Sequence, residues 1–261
     1  MTENFHTHTA RCRHARGTDE EYVLQAIAGG LKVLGFSDHT PFRFPGTYYS
    51  HMRMYPDELE GYAASILELK EKYADQIDIR LGLEVEYYPD RIPALLDLIE
   101  PLGIEYMILG QHWCGNEQNE PYNGSPTGDV SLLARYCDQV IAAMDTGLFS
   151  YLAHPDLFHF VGDPNAYMTH MTRLCQAAKV RSFPLELNFL GLREGRHYPR
   201  QQFWEIAGRI GCPVVFGCDA HTPQDVVDPV TEKLALEMVK AYNLQLLDQI
   251  PIHPWYHGKI R

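Results

Sequence analysis

Histidine and acidic side chains follow a series of short apolar runs, and this pattern restricts the fold more than any other feature of the sequence. Nine such side chains, the candidate ligands, extend along most of the chain: His6, His8, His14, His39, Glu84, His112, His154, Asp219 and His221. Apolar runs of this length are typical of buried strands. Parallel strands bring their carboxyl ends to one edge of a sheet, so residues distant in sequence are expected to converge there.

The rest of the chain alternates such runs with longer amphipathic segments. Seven strands are predicted, at about 3–8, 32–37, 78–85, 104–110, 149–153, 183–188 and 213–218. The first helix is expected to begin at a capping box formed by Thr18 and Glu21 and to end at Gly29 and Gly30. Further helices are predicted at about 56–74, 90–101, 129–146, 165–180, 199–210 and 229–243. Successive βα units predict an α/β fold with a closed or nearly closed parallel barrel.

Length and composition fit one domain. The 261 residues, 45% of them hydrophobic, can fill the core of one barrel, and we expect residues 1–261 to form a single domain. No apolar stretch approaches the roughly 18 residues that a membrane span requires. The start of the chain has neither a basic nor an apolar leader segment and runs into the first predicted strand. We therefore expect a cytoplasmic enzyme that does not contact a membrane.

Charge and cysteine usage narrow the function further. A net charge of −12 argues against nucleic-acid binding, which usually requires a basic surface. A small phosphorylated substrate is still compatible, because bound divalent cations would reverse the local potential. The six cysteines show no Cys-x-x-Cys spacing and are expected to be reduced thiols. The sequence gives no indication of the oligomeric state.

Two pairs of candidate ligands have one residue between their members. Alternate residues of a strand point to the same face, so His6 should converge with His8, and Asp219 with His221. A lone His-x-His pair is often an ordinary pair of histidines. Two pairs together with single candidates at other strand ends predict one metal site.

Acidic neighbours of the candidate ligands leave alternatives open. Glu86 follows Glu84 by two residues and could bridge metal ions in its place. Asp38 and Asp156 adjoin candidate histidines, and we expect them to orient imidazole rings rather than bind metal.

Two long loops are expected beside the site. Residues 41–55 follow His39, and residues 114–128 follow His112. Long loops at the catalytic end of a barrel usually contact substrate or close over it, although a packed surface loop is the alternative.

Assembled in order, these motifs resemble the PHP (polymerase and histidinol phosphatase) family, and within it the histidinol-phosphate phosphatases. The resemblance extends over nearly the whole chain and rests on these segments: 6–9 (His-Thr-His-Thr), 12–17 (Cys-Arg-His-Ala-Arg-Gly), 35–39 (Gly-Phe-Ser-Asp-His), 82–84 (Gly-Leu-Glu), His112, 154–156 (His-Pro-Asp), 186–188 (Glu-Leu-Asn), 191–193 (Gly-Leu-Arg) and 217–221 (Gly-Cys-Asp-Ala-His).

The family resemblance implies a distorted (β/α)7 TIM-like barrel with two or three divalent metal ions, Zn, Fe or Mn, at its mouth. The ligands that it implies form three sets: His6, His8, Glu84 and Asp219 for the first ion, Glu84, His112 and His154 for the second, and His14, His39 and His221 for the third. In this arrangement Glu84 bridges two ions. An amidohydrolase barrel would share some of these motifs but would not explain the third set.

The same resemblance implies a phosphomonoesterase that hydrolyses L-histidinol phosphate to L-histidinol and phosphate, in histidine biosynthesis, by attack of a metal-bridging hydroxide. Arg193 resembles the phosphate-binding arginine of the family, although an ion pair with Glu186 or Glu194 is the alternative. His197 could donate a proton to the leaving alkoxide. A carboxylate or aromatic ring should face the cationic leaving group, with these candidates: Glu117, Glu120, Trp113, Phe42 and Phe158.

Two other functions stay open. A PHP phosphoesterase with a different small phosphorylated substrate would share every ligand and differ in its loops. A metal-binding regulatory module without catalysis is the second alternative, although an apparently complete ligand set argues against it.

Overall fold

The computed structural model describes residues 1–255, and the remaining six residues of the predicted domain, 256–261, lie outside the described part. Two parallel sheets form the centre of the molecule. The first contains, in spatial order, β1 (Glu3–Asn4), β2 (Val33–His39), β3 (Asp78–Val85) and β4 (Tyr106–Leu109). The second contains β5 (Leu185–Asn188), β6 (Pro213–Gly217) and β7 (Gln245–Leu246).

Single-residue bridges join the two sheets at both edges. Leu152 pairs in parallel with Leu109 of β4 and with Leu185 of β5, so it connects the sheets on one side. Thr7 pairs with Ala220 on the other side, just beyond the ends of β1 and β6. The strands therefore curl into a nearly closed parallel barrel, as the alternating sequence pattern predicts.

Helices follow the strands along the chain. Within the described residues they are α1 (Asp19–Ala28), α2 (Leu59–Lys72), α3 (Ile92–Ile99), α4 (Val130–Met144), α5 (Pro164–Val180), α6 (Phe189–Glu194), α7 (Gln201–Ile210) and α8 (Pro229–Ala241). The capping box predicted for α1 is present, because Thr18 accepts from the Glu21 amide and Glu21 accepts from the Thr18 amide. No helix in residues 1–255 is long and apolar enough to cross a membrane.

Two predicted strands differ from those observed. β1 ends at Asn4 rather than near residue 8, because the Asn4 side-chain oxygen accepts from the amides of His6 and Cys218, at 3.1 Å each, in place of strand neighbours. The segment 149–153 forms bridges at Leu152 alone, although the backbone of Ser150, Tyr151 and Ala153 also hydrogen-bonds to β4. Two short elements, α6 and β7, were not predicted, since each contains too few residues for a periodic pattern.

Tyr106 fills the interior of the barrel at a place where two neighbouring strands carry glycine. Its ring is fully buried, and its hydroxyl lies 2.9 Å from the Phe5 carbonyl oxygen and 3.0 Å from that of Phe36. A Cβ atom at Gly82 would lie 2.3 Å from the ring, and one at Gly35 would lie 2.3 Å from the hydroxyl oxygen. Glycine on β2 and β3 thus leaves the space that an aromatic ring of β4 occupies.

Gly82→Ala should therefore lower the free energy of unfolding by about 1–3 kcal/mol, because the added methyl group overlaps the Tyr106 ring. Gly61→Ala in α2 is the matched control, since a Cβ there meets nothing within 4 Å. Alanine has the higher helix propensity, so Gly61→Ala should raise the free energy by about 0.5–1 kcal/mol. Denaturant titrations would measure both, and a Gly82→Ala protein as stable as wild type would contradict the packing described here.

Candidate metal centre

Glu84 lies near the carboxyl end of β3 and is the centre of the cluster of candidate ligands. Its side chain is 1% exposed, and five imidazole rings surround its two oxygens. The nearest nitrogens are His154 Nε2 and His39 Nδ1, each at 2.9 Å, followed by His6 Nε2 and His112 Nε2 at 3.6 Å and His8 Nε2 at 3.7 Å. A Cβ atom at residue 110 would lie 2.0 Å from Glu84 Oε1, so glycine is required beside the carboxylate.

Asp219 supplies a second carboxylate, which lies near His6 and His8 of the same cluster and near His221. Its Oδ1 atom lies 3.1 Å from His8 Nε2, 3.5 Å from His6 Nε2 and 3.4 Å from His221 Nδ1. The Asn188 amide nitrogen donates to Oδ2 at 3.1 Å and fixes the carboxylate. Asp219 thus lies within reach of the histidines that follow β1.

Three histidines form a more open group beside this cluster. The Nε2 atoms of His14 and His221 are only 2.9 Å apart, and the ring of His39 lies 5.4 Å from that of His14 between centroids. The ligand atoms of all three lie within 4.8 Å of one another. Two of these nitrogens can approach so closely only if a proton or another cation lies between them, which fits a cation site.

Oxygen acceptors hold the Nδ1 atoms of five candidate histidines. The pairs are His6 with Glu186 (2.7 Å), His8 with Asp38 (3.4 Å), His112 with Glu86 (3.0 Å), His14 with the Cys12 carbonyl (2.8 Å) and His221 with the Asp219 carbonyl (3.0 Å). When Nδ1 donates its proton to an oxygen, Nε2 carries the free lone pair. All five rings are thereby prepared to bind a cation through Nε2.

The donor set fits divalent metal ions. His6 Nε2, His8 Nε2 and Glu84 Oε2 are buried atoms without a hydrogen-bond partner, although such atoms are nearly always satisfied in folded proteins. Cations bound between these atoms and their neighbours would satisfy them, since His6 and His8 group with Asp219, and His8 and Glu84 with His39, within 4.8 Å. Imidazole nitrogen and carboxylate oxygen are ligands that suit Zn, Fe and Mn.

Electrostatics support the same conclusion. Burial alone would raise the pKa of Glu84, but His112, His39 and His6 hold it well below its usual value. Asp219 is likewise kept ionised, because His6 and His8 outweigh the effect of burial on its pKa. Burial lowers the pKa of His39 and His221 well below the ordinary value, with the charge of His8 adding to the effect. Although burial opposes it, the nearby carboxylates raise the pKa of His6, His8 and His112, so the anionic cluster attracts positive charge, and a bound metal ion would displace the protons from these rings.

A cavity of about 330 Å³ opens onto the cluster. Its floor consists of candidate ligands, and its walls come from loop 41–55, loop 114–128, the segment after His154 and the chain around α6: Met52, Tyr122, Leu157, Leu190, Glu194, Arg196 and Tyr198. Both loops predicted to lie beside the site therefore contribute to it. The volume suits a small molecule.

Arg196 is the arginine in this wall, and Arg193 is not. Arg193 lies on α6 and faces Asp225 at 3.3 Å and Asp228 at 3.4 Å, away from the cavity. Gly195 ends α6 in the left-handed conformation, with φ of 61°, and this turn directs the following residue to the cavity. The phosphate-binding role expected for Arg193 stays a prediction, and Arg196 is a second arginine that lies at the cavity.

His197 is also absent from the cavity wall. Its Nε2 atom lies 2.7 Å from the Leu157 carbonyl oxygen, and its ring stacks on His159 with centroids 4.0 Å apart. Both contacts hold the ring beside the cavity, and the general-acid role expected for His197 stays a prediction. The five residues expected to face the leaving group, Phe42, Trp113, Glu117, Glu120 and Phe158, do not line the cavity either.

Glu186 is the functional residue that sequence reasoning misjudged. It belongs to a segment that supports the family resemblance, but the one role considered for it was as a partner for Arg193. It is fully buried on β5 and accepts from His6 Nδ1, the His154 amide and Asn188. Its position in Glu-Leu-Asn at the end of a strand was the available signal. A carboxylate there orients one candidate ligand through its ring and another through its backbone.

Comparisons with known proteins agree with this geometry. A family model described as "PHP domain" matches residues 4–189. A protein of Deinococcus radiodurans named probable histidinol-phosphatase is 30% identical over 227 residues, which cover 85% of this chain and 86% of the relative. A Bacillus subtilis protein named histidinol-phosphatase is 27% identical and is covered over 94% of its length.

A solved structure is similar throughout the fold. The histidinol phosphate phosphatase of Lactococcus lactis, solved in complex with Zn, L-histidinol and phosphate, superimposes with a TM-score of 0.71 at 18% identity, over 97% of both chains. This likeness confirms the predicted α/β TIM-like barrel. The predicted enzyme class, a phosphoric monoester hydrolase similar to histidinol-phosphatases, agrees with the named relatives. From the matched family model, the 30% identical relative and the order of its motifs, the chain belongs to the PHP domain family.

Proposed function

We propose that this chain is a metal-dependent phosphomonoesterase that hydrolyses L-histidinol phosphate to L-histidinol and phosphate. Its main support is the clustering of nine imidazole and carboxylate side chains, with Glu84 at their centre, beside a cavity whose wall includes Arg196. Membership in the PHP family and relatives named histidinol-phosphatase support the substrate. The proposal takes residues 1–261 as one domain, and the cytoplasmic location stays a prediction.

The proposed ligand sets are those implied by the family. His6, His8, Glu84 and Asp219 would hold one ion, Glu84, His112 and His154 a second, and His14, His39 and His221 a third. Ions held there would supply Lewis acidity for the phosphoryl oxygens and a water of lowered pKa for attack on phosphorus. Whether Zn, Fe or Mn is bound is left open by the ligands.

Arg196 is proposed to grip the phosphoryl group. Its planar guanidinium can donate to two phosphate oxygens, a geometry that a lysine ammonium does not offer. Within the cavity wall it bonds to Glu194 at 2.8 Å and to the Tyr198 hydroxyl at 3.0 Å, which hold it in place before substrate arrives. A phosphate dianion would compete with Glu194 for this fork.

The rest of the wall suits a cationic leaving group. Glu194 offers a carboxylate to the ammonium group of histidinol phosphate once Arg196 engages the phosphate. Tyr122 and Tyr198 offer aromatic faces to its ammonium and imidazole groups. These contacts replace those expected from the sequence.

Metal content tests the proposed centre. Wild-type protein saturated with Zn²⁺ or Mn²⁺ should hold two or three ions per chain by elemental analysis, and Glu84→Ala should lose at least two because one carboxylate serves both. His14→Ala should lose one ion, and Glu237→Ala, on the exposed face of α8, should lose none. A full complement in Glu84→Ala, or at most one ion in wild type, would overturn the proposal.

The phosphate-binding arginine can be tested with two matched variants. Arg196→Lys should lower kcat/KM roughly ten- to hundredfold, because a hydrogen bond to a charged group contributes about 1.5–3 kcal/mol. Arg193→Lys, three residues away and facing Asp225 and Asp228, should leave kcat/KM within about threefold of wild type. Metal content should be unchanged in both. The opposite ranking would favour Arg193 as the phosphate ligand.

The preferred substrate can be tested by comparing phosphate esters that differ in the charge of their leaving group. If Glu194 meets the ammonium, kcat/KM for histidinol phosphate should exceed that for propyl phosphate by roughly tenfold or more, and Glu194→Gln should reduce that ratio. Steady-state assays of both substrates with wild type and Glu194→Gln would measure it. Equal rates for the two esters in wild type would favour a PHP phosphoesterase with another small substrate.

A further inference from the structure

Arg53 is a buried arginine whose hydrogen bonds connect three segments near the candidate metal centre. It belongs to loop 41–55 and is 2% exposed. Its Nη1 and Nη2 atoms donate to the two oxygens of Glu86 at 3.0 and 2.8 Å, and its Nε atom donates to Glu117 at 2.8 Å. Nη1 also donates to the Thr40 carbonyl at 2.8 Å. One guanidinium thereby joins loop 41–55 to the end of β3 and to loop 114–128.

Glu86 carries this contact on to a candidate ligand. Its Oε1 atom, which accepts from Arg53, also lies 3.0 Å from His112 Nδ1. An ionised carboxylate can only accept, so Nδ1 of His112 is the donor. The lone pair of His112 is then on Nε2, which lies 3.6 Å from Glu84 Oε1 and faces the centre. The orientation of His112 thus depends on the position of Glu86.

Glu86 is held by a fork, the pair of hydrogen bonds that Arg53 Nη1 and Nη2 donate to its two oxygens. The carboxylate is 1% exposed, so water cannot replace a lost partner easily. With the fork in place, both of its oxygens are held and the plane of the carboxylate is set. Without the fork, His112 would be the remaining partner given by these contacts, and the carboxylate could rotate about its side-chain bonds.

We propose that Arg53 is a positioning residue of the metal centre, which acts through Glu86 to hold His112 in the orientation that binds metal. This inference rests on the proposed metal-dependent function. Loop 41–55 then has two roles, because it supplies Met52 to the cavity wall and Arg53 to the contacts that hold His112. Outer partners of metal-binding histidines commonly contribute ten- to hundredfold to metal affinity.

Glu117 provides a matched control within the same network. It accepts from Arg53 and from the Tyr48 hydroxyl, at 2.8 Å each, and these bonds include none of the nine candidate ligands. Glu117→Gln therefore loosens the loops as Arg53→Met does, but it leaves the fork on Glu86 intact. A role limited to loop packing would make the two variants alike.

Titration of the metal-free protein with Co²⁺ separates these possibilities, with the visible d–d absorption reporting coordination and a competing chelator reporting affinity. Arg53→Met and Glu86→Gln should each weaken Co²⁺ affinity roughly ten- to hundredfold and alter the spectrum. Glu117→Gln should stay within about threefold, with the wild-type spectrum. The double variant Arg53→Met/Glu86→Gln should be no weaker than the poorer single variant, because both changes break the same chain of contacts.

The outcomes distinguish this inference from the proposed function. If wild type takes up no Co²⁺, the metal centre itself is wrong. If wild type binds and Arg53→Met has normal affinity and spectrum, or if Glu117→Gln is impaired to the same extent, only the role of Arg53 is overturned. Should Arg53→Met fail to fold, the nearly isosteric Glu86→Gln still tests the path to His112.

Discussion

A buried negative charge organises this end of the barrel. Glu84 is almost completely shielded from water, and an isolated carboxylate in such a place would be strongly disfavoured. Five imidazoles from four other segments of the chain surround it, and their contacts keep its pKa low despite burial. Protons on these imidazoles compensate the charge when no metal is bound, and metal cations at the centre would take their place. The buried, unpartnered nitrogens of His6 and His8 indicate where they would be bound.

The barrel makes this concentration of charge possible. The candidate ligands follow parallel strands and therefore lie at the carboxyl edge of the sheet. Glycines at 110 and 217 on neighbouring segments leave room for the carboxylates of Glu84 and Glu186. The outer contacts then fix the rings. Glu186, Asp38 and Glu86 each hold one imidazole by Nδ1, so the rigid barrel and a layer of carboxylates together determine where the Nε2 atoms point.

Much of the barrel and the candidate cluster could be predicted from the sequence, because strand ends and metal ligands both leave local patterns. The Thr18–Glu21 capping box, the strand before Glu84 and the pairing of His6 with His8 are examples. The segment 149–153, predicted to be a strand, lies between β4 and β5 and hydrogen-bonds to both through its backbone, although Leu152 alone forms bridges.

Contacts in the cavity wall were harder to predict, because they depend on how single turns direct side chains. Arg193 and Arg196 differ by three residues, yet the left-handed Gly195 between them places one against Asp228 and the other in the cavity. Glu117 was expected to face the leaving group, but its carboxylate is buried and forms an ion pair with Arg53. Both outcomes follow from long-range partners that no local pattern contains.

We expect metal ions to occupy the space between Glu84 and the surrounding imidazoles. Anomalous diffraction from crystals soaked in Zn²⁺ or Mn²⁺, recorded above and below the metal absorption edge, locates such ions without reference to activity. We expect two peaks within bonding distance of the two Glu84 oxygens, about 2.0–2.2 Å for Zn²⁺, with a third beside the Nε2 atoms of His14 and His221. Peaks confined to other parts of the protein, or none at saturating metal, would contradict the account.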